Sequence, residues 1–101
     1  MDIDLLSHAR RWIAGGRAQN PAWDATSKLE ESPSGHVPRT LSWVVEDGDR
    51  MAQVVIWEDG QSETDLVDSA TGEVRTESRR LSGTHDVDEL LTVVRDWLRP
   101  A

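Results

Sequence analysis

Few residues of this 101-residue chain have the types and spacing that catalysis requires. His85 and Asp86 are adjacent, and a carboxylate beside an imidazole can orient it for proton transfer. The pair stands where a helix is expected to begin, and an aspartate there has a capping function. HD-type metal sites need several further histidine and aspartate ligands, whereas the other two histidines lie on a helix flank (His8) and in a loop (His36). A catalytic or metal-binding role is therefore not expected for His85.

Paired carboxylates can exchange protons with a substrate, and the chain has two adjacent pairs, Glu30-Glu31 and Glu58-Asp59. Nothing in the sequence places either pair across a cleft, and turn or surface positions account for both. Gly15-Gly16 lacks the Lys-Ser/Thr that follows a phosphate-binding glycine loop. The absence of cysteine excludes disulfides and thiolate metal sites. The sequence therefore predicts a non-catalytic protein with no metal site and no cofactor.

Length and composition predict a single domain covering residues 1–101, since a chain of this size can bury one modest core. The N-terminal stretch is acidic and has neither the basic start nor the apolar run of a signal peptide, which predicts a cytoplasmic protein. No stretch approaches the length needed to cross a membrane. The net charge of −8 argues against binding to nucleic-acid phosphates or to anionic lipid surfaces.

The surplus of negative charge is concentrated between residues 46 and 73. This segment has nine acidic residues and one base, Arg50, whereas the rest of the chain has ten of each. A solvated and solubilising surface is one explanation. The other is a patch that binds a basic partner and accelerates association by electrostatic steering. The nine acids are Glu46, Asp47, Asp49, Glu58, Asp59, Glu63, Asp65, Asp68 and Glu73.

Hydrophobic periodicity predicts an amphipathic helix at each end of the chain. The first covers residues 3–14 and ends at Gly15-Gly16, because a glycine in the left-handed conformation commonly terminates a helix. The second has apolar residues at helical spacing over residues 87–98 and ends at Pro100, with Asp86 or Thr84 as its cap. Period-two alternation and turn residues predict strands over residues 22–30, 40–46, 51–57, 61–67 and 74–81.

These elements predict a two-layer α+β domain: an antiparallel meander sheet of four or five strands, with the N- and C-terminal helices packed on one face. At the centre of the sheet, Asp59-Gly60 favours a two-residue type I′ hairpin turn, which would place Val55 opposite Thr64. The strand before this turn is apolar on both faces. One face is therefore expected to lie under the helices, and the other to be partly covered or used in binding.

Five tryptophans are the only aromatic residues. Trp12, Trp23 and Trp97 are expected to pack in the core. Trp43 and Trp57 lie on adjacent predicted strands, where they can share a sheet face, and core packing is the simpler role for them. If that face points away from the helices, the two become exposed aromatic anchors, in which binding energy tends to concentrate.

Several short runs carry a family resemblance. The most specific is the strand that ends at Trp57 with the turn after it, Gln53-Val-Val-Ile-Trp-Glu-Asp-Gly60. Alternating acidic residues follow, then Leu66-Val67-Asp68 and Thr71-Gly72-Glu73, and the final helix contains Glu-Leu-Leu and Trp-Leu. Over about residues 23–98, the sequence resembles the TriTu family of bacterial immunity proteins.

The resemblance implies a protein that protects its producer by binding a secreted antibacterial toxin and blocking it. The implied partner is a cognate toxin with a basic surface, and the free protein is expected to be a monomer or a weak dimer. An acidic secretion chaperone for an effector protein is the alternative, and it predicts an obligate dimer that binds a peptide. The residues expected to bind the toxin through the acidic hairpin surface are Trp43, Glu46, Asp47, Trp57, Glu58, Asp59, Glu63 and Asp65.

Overall fold

The computed structural model describes residues 4–33, 35 and 37–99, and this part of the chain contains three helices and five strands. The strands form one antiparallel sheet in the order β1-β2-β3-β4-β5, so each pairs with its sequence neighbour. The helices pack on one face of the sheet, which confirms the predicted α+β meander. In chain order the elements are α1 (Leu5–Gln19), α2 (Pro21–Thr26), β1 (Lys28–Glu31), β2 (Thr40–Asp47), β3 (Arg50–Trp57), β4 (Gln61–Asp68), β5 (Glu73–Arg80) and α3 (Thr84–Leu98).

The core lies between the helices and one face of the central strands. Leu41, Trp43 and Val45 alternate along β2 and are at most 2% exposed, as the period-two pattern predicts. The Trp43 ring contacts Trp12 of α1 and Trp23 of α2 edge-to-face, at centroid distances of 6.4 and 6.0 Å. The predicted apolar stripe of α3 is also buried, and consists of Val87, Leu90, Leu91, Val94, Trp97 and Leu98.

Helix α1 is longer than predicted, because it passes through Gly15-Gly16 and ends at Gln19. Glycine costs a helix about 1 kcal/mol relative to alanine, so packing must offset that cost here. A Cβ added at Gly16 would lie 3.4 Å from the ring of Trp23, which shows how closely α2 approaches α1 at this position. The Trp23 ring therefore packs against α1 at Gly16, whereas nothing lies within 4 Å of a Cβ added at Gly15.

The segment predicted as a strand over residues 22–30 is a short helix followed by a short strand. Pro21 occupies the start of α2, where its missing N–H costs no helical hydrogen bond. The helix buries Trp23, which is 2% exposed, and Nε1 of this ring donates a hydrogen bond to Asp47 Oδ2 at 2.9 Å. Packing of one large aromatic ring thus outweighs the local alternation that favours a strand.

The cap of α3 differs from both predicted candidates, since the N-cap residue is Gly83. The carboxylate of Asp86 instead accepts a hydrogen bond from the backbone N–H of Ser82 at 2.7 Å, which ties the preceding loop to the first turn. The residues Ile3, His36 and Pro100, assigned from the sequence to a helix, a loop and a helix end, lie outside the described residues.

The β3–β4 hairpin differs from the prediction by one residue in its pairing. Its loop is Glu58-Asp59-Gly60, and within it Gly60 alone has a positive φ (99°), whereas a type I′ turn needs two such residues. Val55 therefore pairs with Glu63, whereas the sequence predicted Val55 opposite Thr64. Because side chains alternate along a strand, this one-residue difference in register places Glu63 on the same face as Val55 and Thr64 on the opposite face.

Gly60→Ala is expected to destabilise the fold by about 2–3 kcal/mol, because two costs combine at this position. Its φ of +99° is unfavourable for an L side chain, and an added Cβ would lie 2.5 Å from the carbonyl oxygen of Leu81. Gly72→Ala is the matched control, since φ there is +79° but nothing lies within 4 Å of the added Cβ. It should cost only about 1 kcal/mol. Urea unfolding measures both, and equal losses would contradict the close contact at Gly60.

Candidate functional site

The two faces of the sheet differ in what covers them. One face packs under α1, α2 and α3, whereas no helix of the described chain packs on the other, which we call the open face. Strand pairing places alternate residues of each strand on it. From β2 to β5, its residues are Thr40, Ser42, Val44 and Glu46; Met51, Gln53, Val55 and Trp57; Gln61, Glu63, Asp65 and Val67; and Val74, Thr76, Ser78 and Arg80.

Apolar side chains form a band across the open face. Met51 pairs with Val67 and Val67 pairs with Val74, so the three side chains stand in one row. Val74 is 63% exposed, and the others in the band are partly exposed. Contiguous exposed apolar surface on a small protein commonly marks an interaction site. The remaining members of the band are Val44, Val55 and Trp57.

Three of the predicted acidic residues border this band on the open face: Glu46, Glu63 and Asp65. Within the part of the chain that the structure describes, the carboxylates of Glu46 and Glu63 have no hydrogen-bond or ion-pair partner. Asp65 accepts a hydrogen bond from Thr76 Oγ1 on β5 at 3.0 Å. These acids can therefore meet a partner without breaking an internal ion pair.

Trp43 and Asp47, two of the predicted partner-binding residues, lie on the helix side of the sheet and not on the open face. Trp43 is 1% exposed, in contact with the rings of α1 and α2. Asp47 accepts a hydrogen bond from Trp23 and pairs with Arg99 at 3.3 Å. Trp43 and Trp57 lie on opposite faces of the sheet, so core packing is the correct role for Trp43 and the anchor role is wrong for it.

Glu58 and Asp59 lie in the β3–β4 turn, at one end of the sheet, where both have structural partners. Glu58 accepts hydrogen bonds from the backbone N–H of Arg39 at 2.9 Å and from its Nε at 3.0 Å. The backbone bond and then the guanidinium bond hold the pKa of Glu58 below its ordinary value. Asp59 Oδ1 accepts a hydrogen bond from the backbone N–H of Gln61 at 3.0 Å. Both acids therefore stabilise the turn, and the carboxylate of Glu58 is already paired with the guanidinium of Arg39.

The acidic segment as a whole does not form one patch. Asp68 is 7% exposed and pairs with Arg50 at 3.4 Å on the helix side. Glu73 pairs with Arg75 at 2.8 Å within β5. The nine acids are thus divided among the open face, the helix side and the turns at the two ends of the sheet. The open-face acids Glu46, Glu63 and Asp65 are the members that lie beside apolar surface.

The histidines of the described chain make helix contacts. His85 is 84% exposed, with Nε2 3.1 Å from Glu89 Oε1, and His8 Nε2 lies 2.7 Å from Asp88 Oδ1, linking α1 to α3. Among the described residues, no three His, Asp or Glu side chains are grouped so that they could hold a metal ion. None of the helices described is long and apolar enough to cross a membrane.

Sequence reasoning missed Met51, Val55 and Val67 as individual members of the site. The signal for the first two was present, since β3 is apolar at consecutive positions and therefore on both faces. For Val67 the signal was its position directly after Leu66, which puts one apolar side chain on each face of β4. Apolar residues that recur on the second face of neighbouring strands form contiguous apolar surface, and such surface commonly marks an interaction site.

Comparison with known proteins gives one family match, which covers most of the chain. A family model described as "Immunity protein TriTu" matches residues 8–97 of the chain. A search of curated proteins gives no match. The matched span runs from α1 into α3 and includes every strand, and therefore the open face.

Proposed function

The chain belongs to the TriTu family of immunity proteins, and we propose that it neutralises a cognate toxin by binding it through the open face. The family match supplies the class of function, and the location of the interface is our inference. The contact itself blocks the toxin, so the immunity protein needs no catalytic group of its own.

The apolar band of the open face is the observation that carries this proposal. Met51, Val55 and Val67 leave part of their surface exposed beside Trp57, whereas the apolar residues of the opposite face are buried by helices. Covering such a band on binding is favourable by about 25 cal/mol per Å² of apolar surface removed from water. A partly exposed tryptophan at its margin is the kind of residue on which binding energy concentrates.

The acids at the margin of the band supply the specificity. Glu46 and Glu63 have free carboxylates on the open face, and a net charge of −8 adds a long-range field of the same sign. A toxin with a basic surface would associate faster under this field and in the correct orientation. The tested partner is the protein encoded by the reading frame adjacent to the gene of this chain.

Reversing the three open-face acids together, as Glu46→Lys, Glu63→Lys and Asp65→Lys, is expected to weaken toxin binding by about 100-fold and to flatten its dependence on salt. The residues lie outside the core, so folding should persist. The matched control reverses three exposed acids of the helical layer, Asp24, Glu89 and Asp96, with the same change in net charge. It should lose far less affinity.

Surface plasmon resonance at several salt concentrations gives both affinities, and survival of cells that express the toxin gives the biological result. If the two triple variants lose affinity equally, net charge determines the affinity for the toxin, and the position of the acids on the open face does not. If the adjacent product neither binds the wild-type chain nor harms cells without it, the toxin-binding function itself is contradicted.

A further inference from the structure

Strand β5 is an edge strand that is uncovered on both faces. It is the last strand of the sheet, and all its residues except Arg79 are exposed. An edge strand of eight residues presents a row of unpaired backbone N–H and C=O groups, to which another strand can add. The direction of those backbone groups and the charges of β5 determine the register and the charge pattern of a strand that can pair with it.

The alternation of hydrogen-bonded and non-hydrogen-bonded pairs between β4 and β5 determines which backbone groups of β5 point to the free edge. Leu81 N donates to Gly60 O at 2.7 Å, so the Gly60–Leu81 pair is a hydrogen-bonded pair of the β4–β5 ladder. Hydrogen-bonded pairs alternate along an antiparallel ladder, so Arg75, Glu77 and Arg79 direct their backbone groups toward β4. The even-numbered residues, Val74, Thr76, Ser78 and Arg80, therefore direct theirs to the free edge.

The charges of β5 form an inverted repeat about Thr76. Residues 73–79 read Glu-Val-Arg-Thr-Glu-Ser-Arg. When this segment is aligned with the same segment in reverse order, each acidic residue lies opposite a basic one. Two such strands paired antiparallel about Thr76 would oppose Glu73 to the second copy's Arg79, and Arg75 to its Glu77. Within one strand Glu73 already pairs with Arg75 and Glu77 with Arg79, each at 2.8 Å, so pairing of the two copies would extend these pairs into a network across the edge. In that register Thr76 lies opposite Thr76 of the second copy, and Val74 lies opposite its Ser78. The residues whose backbone groups point to the free edge are thus paired with each other, as hydrogen bonding between the two strands requires.

We propose that β5 is a self-association edge: it pairs with β5 of a second copy, antiparallel and centred on Thr76, to join two five-stranded sheets into one. Charged side chains on an edge strand normally discourage pairing with another strand. A pairing centred on Arg75 would oppose that arginine to itself, and one centred on Glu77 would oppose two glutamates. The pattern thus excludes the adjacent registers and admits this one. The inference does not depend on the proposed function.

Association through one strand buries little surface, so a weak dimer is expected, with a Kd of about 10 μM to 1 mM at low salt. Because the cross-strand ion pairs are exposed, added salt should weaken the dimer. Sedimentation equilibrium of the full chain measures the Kd. A wild-type chain that stays monomeric up to about 1 mM at low salt contradicts the proposal.

Two single variants test the register directly. In a symmetric dimer, Arg75→Glu opposes two glutamates at two sites, and Glu77→Arg opposes two arginines at two sites. Each variant alone should therefore dimerise at least about tenfold more weakly than wild type. An equimolar mixture of the two should restore association as a heterodimer, because every opposed pair is then complementary.

Controls separate this result from effects on folding. The guanidinium of Arg75 also lies 5.0 Å from the Trp97 ring, whereas Glu77→Arg leaves that contact in place, and circular dichroism checks both folds. Arg11→Glu, exposed on α1, makes the same charge change away from β5 and should leave the Kd unchanged. Failure of the mixture to associate while both variants are folded would overturn the register.

Hydrogen exchange supplies the second readout. The amides of Val74, Thr76 and Ser78 should become protected as protein concentration rises, and those of β1 at the other edge should not. Protection that appears only when the toxin is added, with the chain alone monomeric, would show that the edge receives a strand of the toxin and would overturn self-association.

Discussion

Replacing Leu91 with aspartate is expected to unfold the protein in water at room temperature. Leu91 is fully buried at the centre of the α3 stripe that faces the sheet. Loss of its burial costs about 1.5–3 kcal/mol, and a carboxyl group left without partners in an apolar core costs several more. The sum is comparable with the whole stability of a domain of this size, about 5–15 kcal/mol.

Val93→Asp is the matched control, since Val93 lies two residues away on the same helix but is 44% exposed. It introduces the same charge into α3 and should lower the melting temperature only slightly. Circular dichroism melts compare the two. A Leu91→Asp protein that melts at the wild-type temperature would contradict the docking of α3 on the sheet, and with it the assignment of one face as open.

Trp57→Ala is expected to weaken toxin binding by roughly 30-fold to 1,000-fold, the range for an aromatic residue that anchors an interface. Trp57 lies on the open face, beside Thr40 on β2, and is not part of the buried core cluster. The variant should therefore fold, and its loss should be confined to binding. Calorimetric titration against the toxin measures the affinity, and a thermal melt verifies the fold.

Val93→Ala provides the comparison for this second prediction, because it removes an exposed apolar side chain from the opposite layer of the molecule. It should bind the toxin as wild type does. If Trp57→Ala binds with unchanged affinity while Val93→Ala binds weakly, the helical layer is the interface and the open face is not.

The fold could be predicted from the sequence wherever periodicity was strong. The apolar positions of α3 and the alternation of β2 are set by the local pattern, and both were predicted correctly. The errors arose where tertiary packing outweighs local preference. Trp23 is buried by a short helix where the alternation predicted a strand, and α1, which contacts the Trp23 ring at Gly16, continues past its predicted end.

The candidate site was harder to predict, because it depends on which face each side chain occupies. A hairpin loop of three residues, instead of two, turned Glu63 onto the face of Val55. Trp43 and Trp57 lie on neighbouring strands but on opposite faces, which depends on strand register and not on composition. Charge counting found the acidic segment but could not show that Asp47, Glu58 and Asp68 have internal partners.

Oxidative footprinting of the complex tests the central claim most directly. Met51 and Trp57 are reactive toward hydroxyl radicals and lie on the open face, whereas Trp12 is a partly exposed reference on the helix side. We expect Met51 and Trp57 to oxidise several-fold more slowly when the toxin is bound, with Trp12 unchanged. Protection of Trp12, with Met51 and Trp57 reacting as fast as in the free protein, would contradict binding through the open face.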